Sequence, residues 1–323
     1  MKCINNLYRA VSIVIVFSLC LCGCKQGTIP CQYNQVRRLQ GDAVSDQFAE
    51  PFAADLCVAG QNVMEGTDVN METGACGGLF DLNRHKVVYA KGIHERLHPA
   101  SLTKMLTALV ALKNGDTEDL ITCSPNVEIK EPGATLCGLK AGDKLTLNQA
   151  LHALLIHSAN DAGVAIAEHI GGSIENFADM MNNEALQLGA TNSHFSNPHG
   201  LTEAEHYSTV YDLYLIMNEV LNYDVFNEII QMPEYSTVYH DANGDEKEMS
   251  FKSTNLFFNG TFSAPDKITV IGGKTGTTKA AGSCLALFTK DTSGNPYISV
   301  ILNATEREYV YRQMIDMLEE LDN

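Results

Sequence analysis

The sequence predicts an α/β (α+β) fold: an antiparallel sheet contributed by both ends of the chain, with a mostly helical insertion between them. Three observations carry this. Strand-like runs bounded by turn residues occur near residues 75–91 and again after residue 234. Between them, apolar residues recur at helical spacing. Asn243-Gly244, between two strand-like segments, is a strong hairpin turn signal.

In chain order, Ala75 to Asp81 and Val87 to Lys91 read as strands about the turn Leu82-Asn83-Arg84-His85. Leu102, Met105, Leu106, Leu109 and Val110 fall at i, i+3, i+4, i+7 and i+8, one face of a helix that Gly115 can stop. Thr146-Leu147-Asn148-Gln149 has the capping-box pattern and opens a second helix with Leu147, Ala150, Leu151, Leu154 and Leu155 as its buried stripe. That period halts at His157-Ser158-Ala159-Asn160. Further helices are expected over 161–170, ended by Gly171-Gly172, over 174–188, closed by Gly189, and over 207–221. The hairpin spans 235–252, strands follow at 268–273, 283–290 and 297–303, and a terminal helix covers 306–321.

With 323 residues, 45% of them hydrophobic, the chain can bury a full core. Its formal charge of -17 argues against a nucleic-acid partner, because phosphate binding needs clustered Lys and Arg. Residues 1–23 read as a lipoprotein signal peptide. Lys2 and Arg9 precede an apolar run too short to span a membrane comfortably. Leu21-Cys22-Gly23-Cys24 then resembles a bacterial lipobox, with Cys24 as the lipidated N-terminus of the mature chain. Loss of Lys2 and Arg9 takes the charge from -17 to -19. Residues 24–68, polar and without a sustained period, read as a tether reaching about 35–40 Å. Residues 69–323 are then the folded domain. Outside the cytoplasm disulfides are permitted, and Cys31, Cys57, Cys76, Cys123, Cys137 and Cys284 remain available. Cys123 with Cys137 is the expected pair, because they bracket a loop-like insert, while Cys284 reads as a buried free thiol.

Three segments carry chemistry. Ser101 and Lys104 lie three apart at a helix start, so the amine can reach the hydroxyl. A serine needs an adjacent base, and a lysine serves only if its pKa is depressed. Lys104 sits among Leu102, Met105 and Leu106, which suits that requirement. Ser158 and Asn160 fall where a periodic helix breaks and so cap a helix, line a cleft, or do both. Lys274-Thr275-Gly276 follows an apolar strand and two glycines, so a substrate backbone can lie against it while Lys274 and Thr275 meet a carboxylate. None of the ten histidines forms a His-Glu-x-x-His pattern, and no metal or cofactor is expected.

In this order the segments resemble the Ser-x-x-Lys, Ser-x-Asn and Lys-Thr-Gly motifs of penicillin-recognising serine enzymes. Pro99 to Met105, Ser158 to Ala162, Asn197-Pro198-His199-Gly200-Leu201, His206-Tyr207-Ser208-Thr209 and Gly273 to Thr277 resemble the low-molecular-mass D-alanyl-D-alanine carboxypeptidases, the S11 serine peptidases. The resemblance covers residues 70–320 and implies a β-lactamase/transpeptidase-like fold. It implies that Ser101 attacks the bond between two D-alanines of a peptidoglycan stem pentapeptide while Lys104 takes its proton. It further implies an oxyanion site at the N–H groups of Ser101 and Thr277, a proton path through Ser158, and orientation of Lys104 by Asn160. Lys274, Thr275, Gly276 and a late arginine would hold substrate; Arg307 is the candidate for the last, with Arg312 close by. Peptidoglycan peptides, covalently bound β-lactams and a membrane reached through the Cys24 lipid are the implied partners, at the outer face of the bacterial cell membrane. Two rivals share the chemistry: a D,D-endopeptidase, and a class A β-lactamase. The second needs a Glu-x-x-Leu-Asn loop, which Glu184-Ala185-Leu186-Gln187 does not match.

Overall fold

A computed structural model describes residues 53–64 and 67–321. Five strands form one antiparallel sheet: β1 (Cys76–Asp81), β2 (Lys86–Lys91), β7 (Ile268–Thr278), β8 (Gly282–Asp291) and β9 (Pro296–Ala304), in the order β2-β1-β9-β8-β7. Both chain ends therefore build it, with Cys76 paired to Leu302 at its centre. Alternation sorts the side chains to two faces. Leu285, Leu287, Tyr297 and Ile301 meet Val310, Tyr311, Met314 and Leu318 of the terminal helix α7 (Arg307–Glu319). Ala286, Ile298, Val300 and Leu302 join the helical core on the other side.

That core is centred on α1 (Thr103–Asn114), buried from Thr103 to Ala111. A helix apolar all round belongs in an interior. It packs against α3 (Asn160–Gly171), α4 (Ile174–Gln187) and α5 (Val210–Val220). Gly172 and Gly189, at φ 77° and 81°, end α3 and α4 as expected of left-handed terminal glycines. The capping box is present: Gln149 N–H donates to Thr146 Oγ1 (3.1 Å) and Thr146 N–H to Gln149 Oε1 (2.9 Å), opening α2 (Leu147–His152). A short helix, α6 (Asp224–Ile230), follows α5.

The Asn-Gly hairpin forms β5 (Glu234–His240) and β6 (Glu246–Lys252), but in a second sheet. There β5 joins β4 (Lys144–Thr146), which pairs with β3 (Leu120–Thr122). The two three-residue strands are too short to show a period, and the sheet they complete is separate from the one built by the chain ends.

Two expectations are corrected. The stretch assigned to tether is docked wherever it is described. Cys57 is fully buried, its N–H donates to Tyr214 Oη (2.9 Å), and Tyr211 Oη donates to its carbonyl (2.9 Å). Val63 exchanges two 2.8 Å backbone bonds with Ala90. This strap is held by isolated backbone bonds, so it carries no period. Cys123 and Cys137 are both free thiols; Cys137 Sγ donates instead to Asp161 Oδ1 at 3.3 Å. The signal peptide, Cys24, Cys31 and the tether up to residue 52 lie outside the described residues.

Candidate active site

Ser101 lies in a 3-10 turn, Ala100–Leu102, that feeds α1. The residue before it, Ala100, has φ 47°, a left-handed conformation costly for a residue with a Cβ. Lys104 sits one turn on, fully buried, with Nζ 2.9 Å from Ser101 Oγ. The same nitrogen donates to Asn160 Oδ1 (2.7 Å) and to the His199 carbonyl (2.6 Å). Neither acceptor can donate back. A neutral amine uses its two hydrogens on them and turns its lone pair to the serine hydroxyl. Burial, reinforced by the nearby Lys274 charge, holds the Lys104 pKa well below its ordinary value, with Asp161 opposing weakly.

α2 runs into a five-residue π turn, Ala153–His157, and Ser158 follows at φ 66°. π turns of this kind concentrate at functional sites. This one aims Ser158 Oγ at Lys274 Nζ, which donates to it at 2.9 Å. Lys274 is also buried, and burial lowers its pKa to about 7. Asn160 opens α3, and its neighbour Asp161 accepts from the N–H groups of Cys137 (3.0 Å), Gly138 (2.8 Å) and Leu139 (3.1 Å). The carboxylate thus fastens residues 137–139 to the helix start, while Asn160 N–H donates to the Thr135 carbonyl at 2.8 Å and holds Thr135 at the cleft.

β7 continues through Lys274-Thr275-Gly276 to Thr278 as the free edge of the sheet. A Cβ at Gly276 would lie 2.9 Å from Ser101 N, so this strand approaches the serine turn as only glycine permits. Thr275 Oγ1 lies 2.6 Å from Thr254 Oγ1, and Arg307 donates to the Thr254 carbonyl at 2.6 Å. A cleft of about 190 Å³ is lined by Ser101, Ser158, Thr275, Gly276, Thr277 and Arg307, with Thr135, Thr254 and Cys284. Ser101, Lys104 and Asn160 therefore form one hydrogen-bonded group and Ser158 and Lys274 a second, and the two serines line the same cleft. Of the two candidate arginines, Arg307 lines the cleft, whereas Arg312 Nε donates to Glu308 at 3.0 Å. Glu184 is committed to Lys113 at 2.8 Å between α4 and α1. Thr135, Thr254 and the Asp161 clamp were not legible as site features, since each reaches the cleft through a nonlocal contact.

The loop delivering the His199 carbonyl is an Asx-type turn, with Asn197 Oδ1 accepting from Gly200 N–H at 2.8 Å. Gly200 has φ 86°, and a Cβ there would lie 1.9 Å from the Ala100 carbonyl oxygen. Gly200→Ala is expected to lower the unfolding free energy by about 2–4 kcal/mol, from left-handed strain plus overpacking. Urea unfolding of the purified variant checks this; an unchanged midpoint contradicts it.

A family model described as D-alanyl-D-alanine carboxypeptidase, Peptidase_S11, matches residues 74–306. The D-alanyl-D-alanine carboxypeptidase DacF of Bacillus subtilis (strain 168) is 35% identical, over 75% of this chain and 60% of that protein. DacC of Escherichia coli (strain K12), named for the same activity, is 32% identical over 84% of this chain and 66% of that protein. The chain thus spans less than two thirds of the length of these relatives. Among solved structures, the Streptomyces K15 DD-transpeptidase superposes with a TM-score of 0.71 at 25% identity, covering 78% of this chain and 98% of that one. The carboxypeptidase DacD from Francisella tularensis superposes with a TM-score of 0.68 at 24% identity, over 81% and 73% respectively. The fold is the β-lactamase-like fold of the DD-peptidases.

Proposed function

Because this chain belongs to the D-alanyl-D-alanine carboxypeptidase family, peptidase S11, we propose that it removes the terminal D-alanine from peptidoglycan stem pentapeptides through an acyl-enzyme on Ser101. One observation supports this above the rest: Lys104 Nζ spends its hydrogens on two carbonyl oxygens and faces Ser101 Oγ at 2.9 Å. Lys104 takes the hydroxyl proton as Ser101 attacks the penultimate D-alanine carbonyl. The developing oxyanion is held by the N–H groups of Ser101 and Thr277, on the turn and edge strand that Gly276 brings together. Ser158, held by the Lys274 ammonium, passes the proton taken up by Lys104 to the departing D-alanine amine as the amide bond breaks, so Lys104 is neutral again and Lys274 keeps its charge. Thr275 and Arg307, which line the cleft, and Lys274, buried beside Ser158, hold the terminal carboxylate as hydroxyl and charged donors. Water then cleaves the ester. Glu184, tied to Lys113, is not placed to speed that step as a β-lactamase glutamate does, so bound penicillin leaves slowly.

We further propose that the enzyme is a lipoprotein anchored through Cys24 at the outer face of the membrane, on the basis of Leu21-Cys22-Gly23-Cys24. Mass spectrometry of the mature protein after penicillin treatment reads both claims, with a penicilloyl adduct expected on Ser101 and a lipid on Cys24. Ser101→Ala is expected to lose the adduct and to lower D-alanine release by at least about 10³-fold. Release at the native rate from that variant sinks the assignment. Cleaved crosslinks in a muropeptide assay would instead favour endopeptidase action. Rapid nitrocefin turnover would favour a β-lactamase.

A further inference from the structure

Beyond the groups assigned so far, one buried bridge joins the two walls that position Ser101. His206 is almost fully buried, in the His206-Tyr207-Ser208-Thr209 segment, and no step above uses it. Its Nδ1 accepts from Ser196 N–H at 3.1 Å. A backbone N–H can only donate, so Nδ1 carries no hydrogen and the hydrogen of the neutral ring is on Nε2. Nε2 lies 2.8 Å from Thr103 Oγ1 and donates to it. Thr103 Oγ1 then has one hydrogen, and it donates at 2.8 Å to the carbonyl of Ala100. The polarity of the chain is thus fixed from end to end: Ser196 N–H to His206, His206 to Thr103, Thr103 to Ala100.

The ends of that chain are informative. Ser196 enters the loop that delivers the His199 carbonyl to Lys104. Ala100, at φ 47°, is the strained residue preceding Ser101. Nothing in the local sequence favours a left-handed alanine, so the conformation must be imposed by its surroundings. Only a glycine at position 200 leaves the Ala100 carbonyl room to accept from the Thr103 hydroxyl, since a Cβ there would lie 1.9 Å from that carbonyl oxygen and 2.9 Å from Thr103 Oγ1. Burial, with smaller contributions from His98, His194 and Lys104, lowers the His206 pKa to about 3. The ring is therefore neutral, as its acceptor role at Nδ1 requires.

We propose that His206, acting through Thr103, is a positioning residue for the acylation step: it locks the left-handed Ala100 peptide that aims Ser101 at Lys104, and ties that turn to the loop holding Lys104. The proposal rests on Ser101 being the acylated residue. Because it sets geometry, its loss lowers the acylation rate constant and leaves the initial non-covalent binding of ligand unchanged. A small misplacement of reacting atoms is enough to cost one to two orders of magnitude.

The test is stopped-flow acylation by a fluorescent penicillin, resolving non-covalent affinity from the acylation rate constant, on the full chain. Thr103→Val removes the relay hydroxyl at nearly constant shape and is expected to slow acylation by about tenfold or more with affinity unchanged. Thr103→Ser restores the hydroxyl and is expected within about twofold of native. His206→Asn keeps an acceptor for Ser196 but cannot donate to Thr103, and is expected to match Thr103→Val. The double variant is expected to be no slower than either single one, because both cut the same relay. If His206→Asn fails to fold, the Thr103 pair still decides. Native-like acylation in Thr103→Val, equal slowing in Thr103→Ser, or additive losses in the double variant overturn the proposal. Lack of a Ser101 adduct in the unaltered protein overturns the parent assignment, and this one with it.

Discussion

Lys104→Met is expected to reduce acylation by penicillin, and D-alanine release with it, by about 10³-fold or more while the domain stays folded. General-base assistance at a positioned side chain is worth about 10²–10⁴-fold. Here Lys104 also orients, from 2.9 Å, the hydroxyl that it is proposed to deprotonate. Methionine is close to lysine in volume and brings no charge into a fully buried position, so packing around α1 is largely kept. The cost to the fold is confined to Asn160 Oδ1 and the His199 carbonyl, which lose a donor. Acylation followed by intact-protein mass spectrometry, beside thermal unfolding, separates the two effects. Acylation within about tenfold of native would show that another group takes the Ser101 proton.

Lys274→Ala is expected to slow acylation by about 10²–10³-fold, the scale of losing a fixed charged donor at a reacting centre. It should also change the pH profile in two ways. Burial lowers the Lys274 pKa to about 7, so the ammonium proposed to hold carboxylate is lost as pH rises through that value. The apparent second-order rate constant of the free enzyme should therefore fall on the alkaline side, and this limb should vanish in the variant. The Lys274 charge also depresses Lys104, so its removal raises the Lys104 pKa and moves the acid limb to higher pH. Profiles measured between pH 5.5 and 9.5 test both movements; an alkaline limb that survives in the variant contradicts the role given to Lys274. Stability follows the same group. Its folded pKa lies below its unfolded one, so between about pH 7 and pH 10 the unfolded chain binds more protons. Stability from this site rises with pH across that window, by up to about 1.4 kcal/mol per unit, and does not change below about pH 7, where both states hold the proton.

What could be read from the residues was what is local. The Thr146–Gln149 capping box, the Asn243-Gly244 hairpin, the stripe of α1 and the glycines closing α3 and α4 each depend on a few neighbouring side chains, and each is in place. The motif residues meet because their order along the chain matches the order of elements around one cleft. What was hidden is nonlocal. β3 and β4 are three residues each and exist through pairing with one another and with the hairpin. The Cys57 strap is held by tyrosines of α5. Thr254 reaches the cleft only because Arg307 and Thr275 converge on it from distant segments. The π turn that sets Ser158 in a left-handed conformation extends an unbroken apolar stripe, so periodicity could mark where the helix fails but not how.

The pairing of Cys76 with Leu302 makes sequence distance into a timer. Closing so long a loop is slow compared with forming the helices inside it, and its entropy must be met before the sheet returns any stability. Lys274 and Thr275 lie on β7, whose only sheet neighbour among the described residues is β8, and β8 in turn leans on β9. A growing chain that has made Ser101, Lys104, Ser158 and Asn160 thus holds half of its chemistry with nothing to set it against. The two halves of the site are set against each other once β9 seats between β1 and β8 and gives β8, and through it β7, its place.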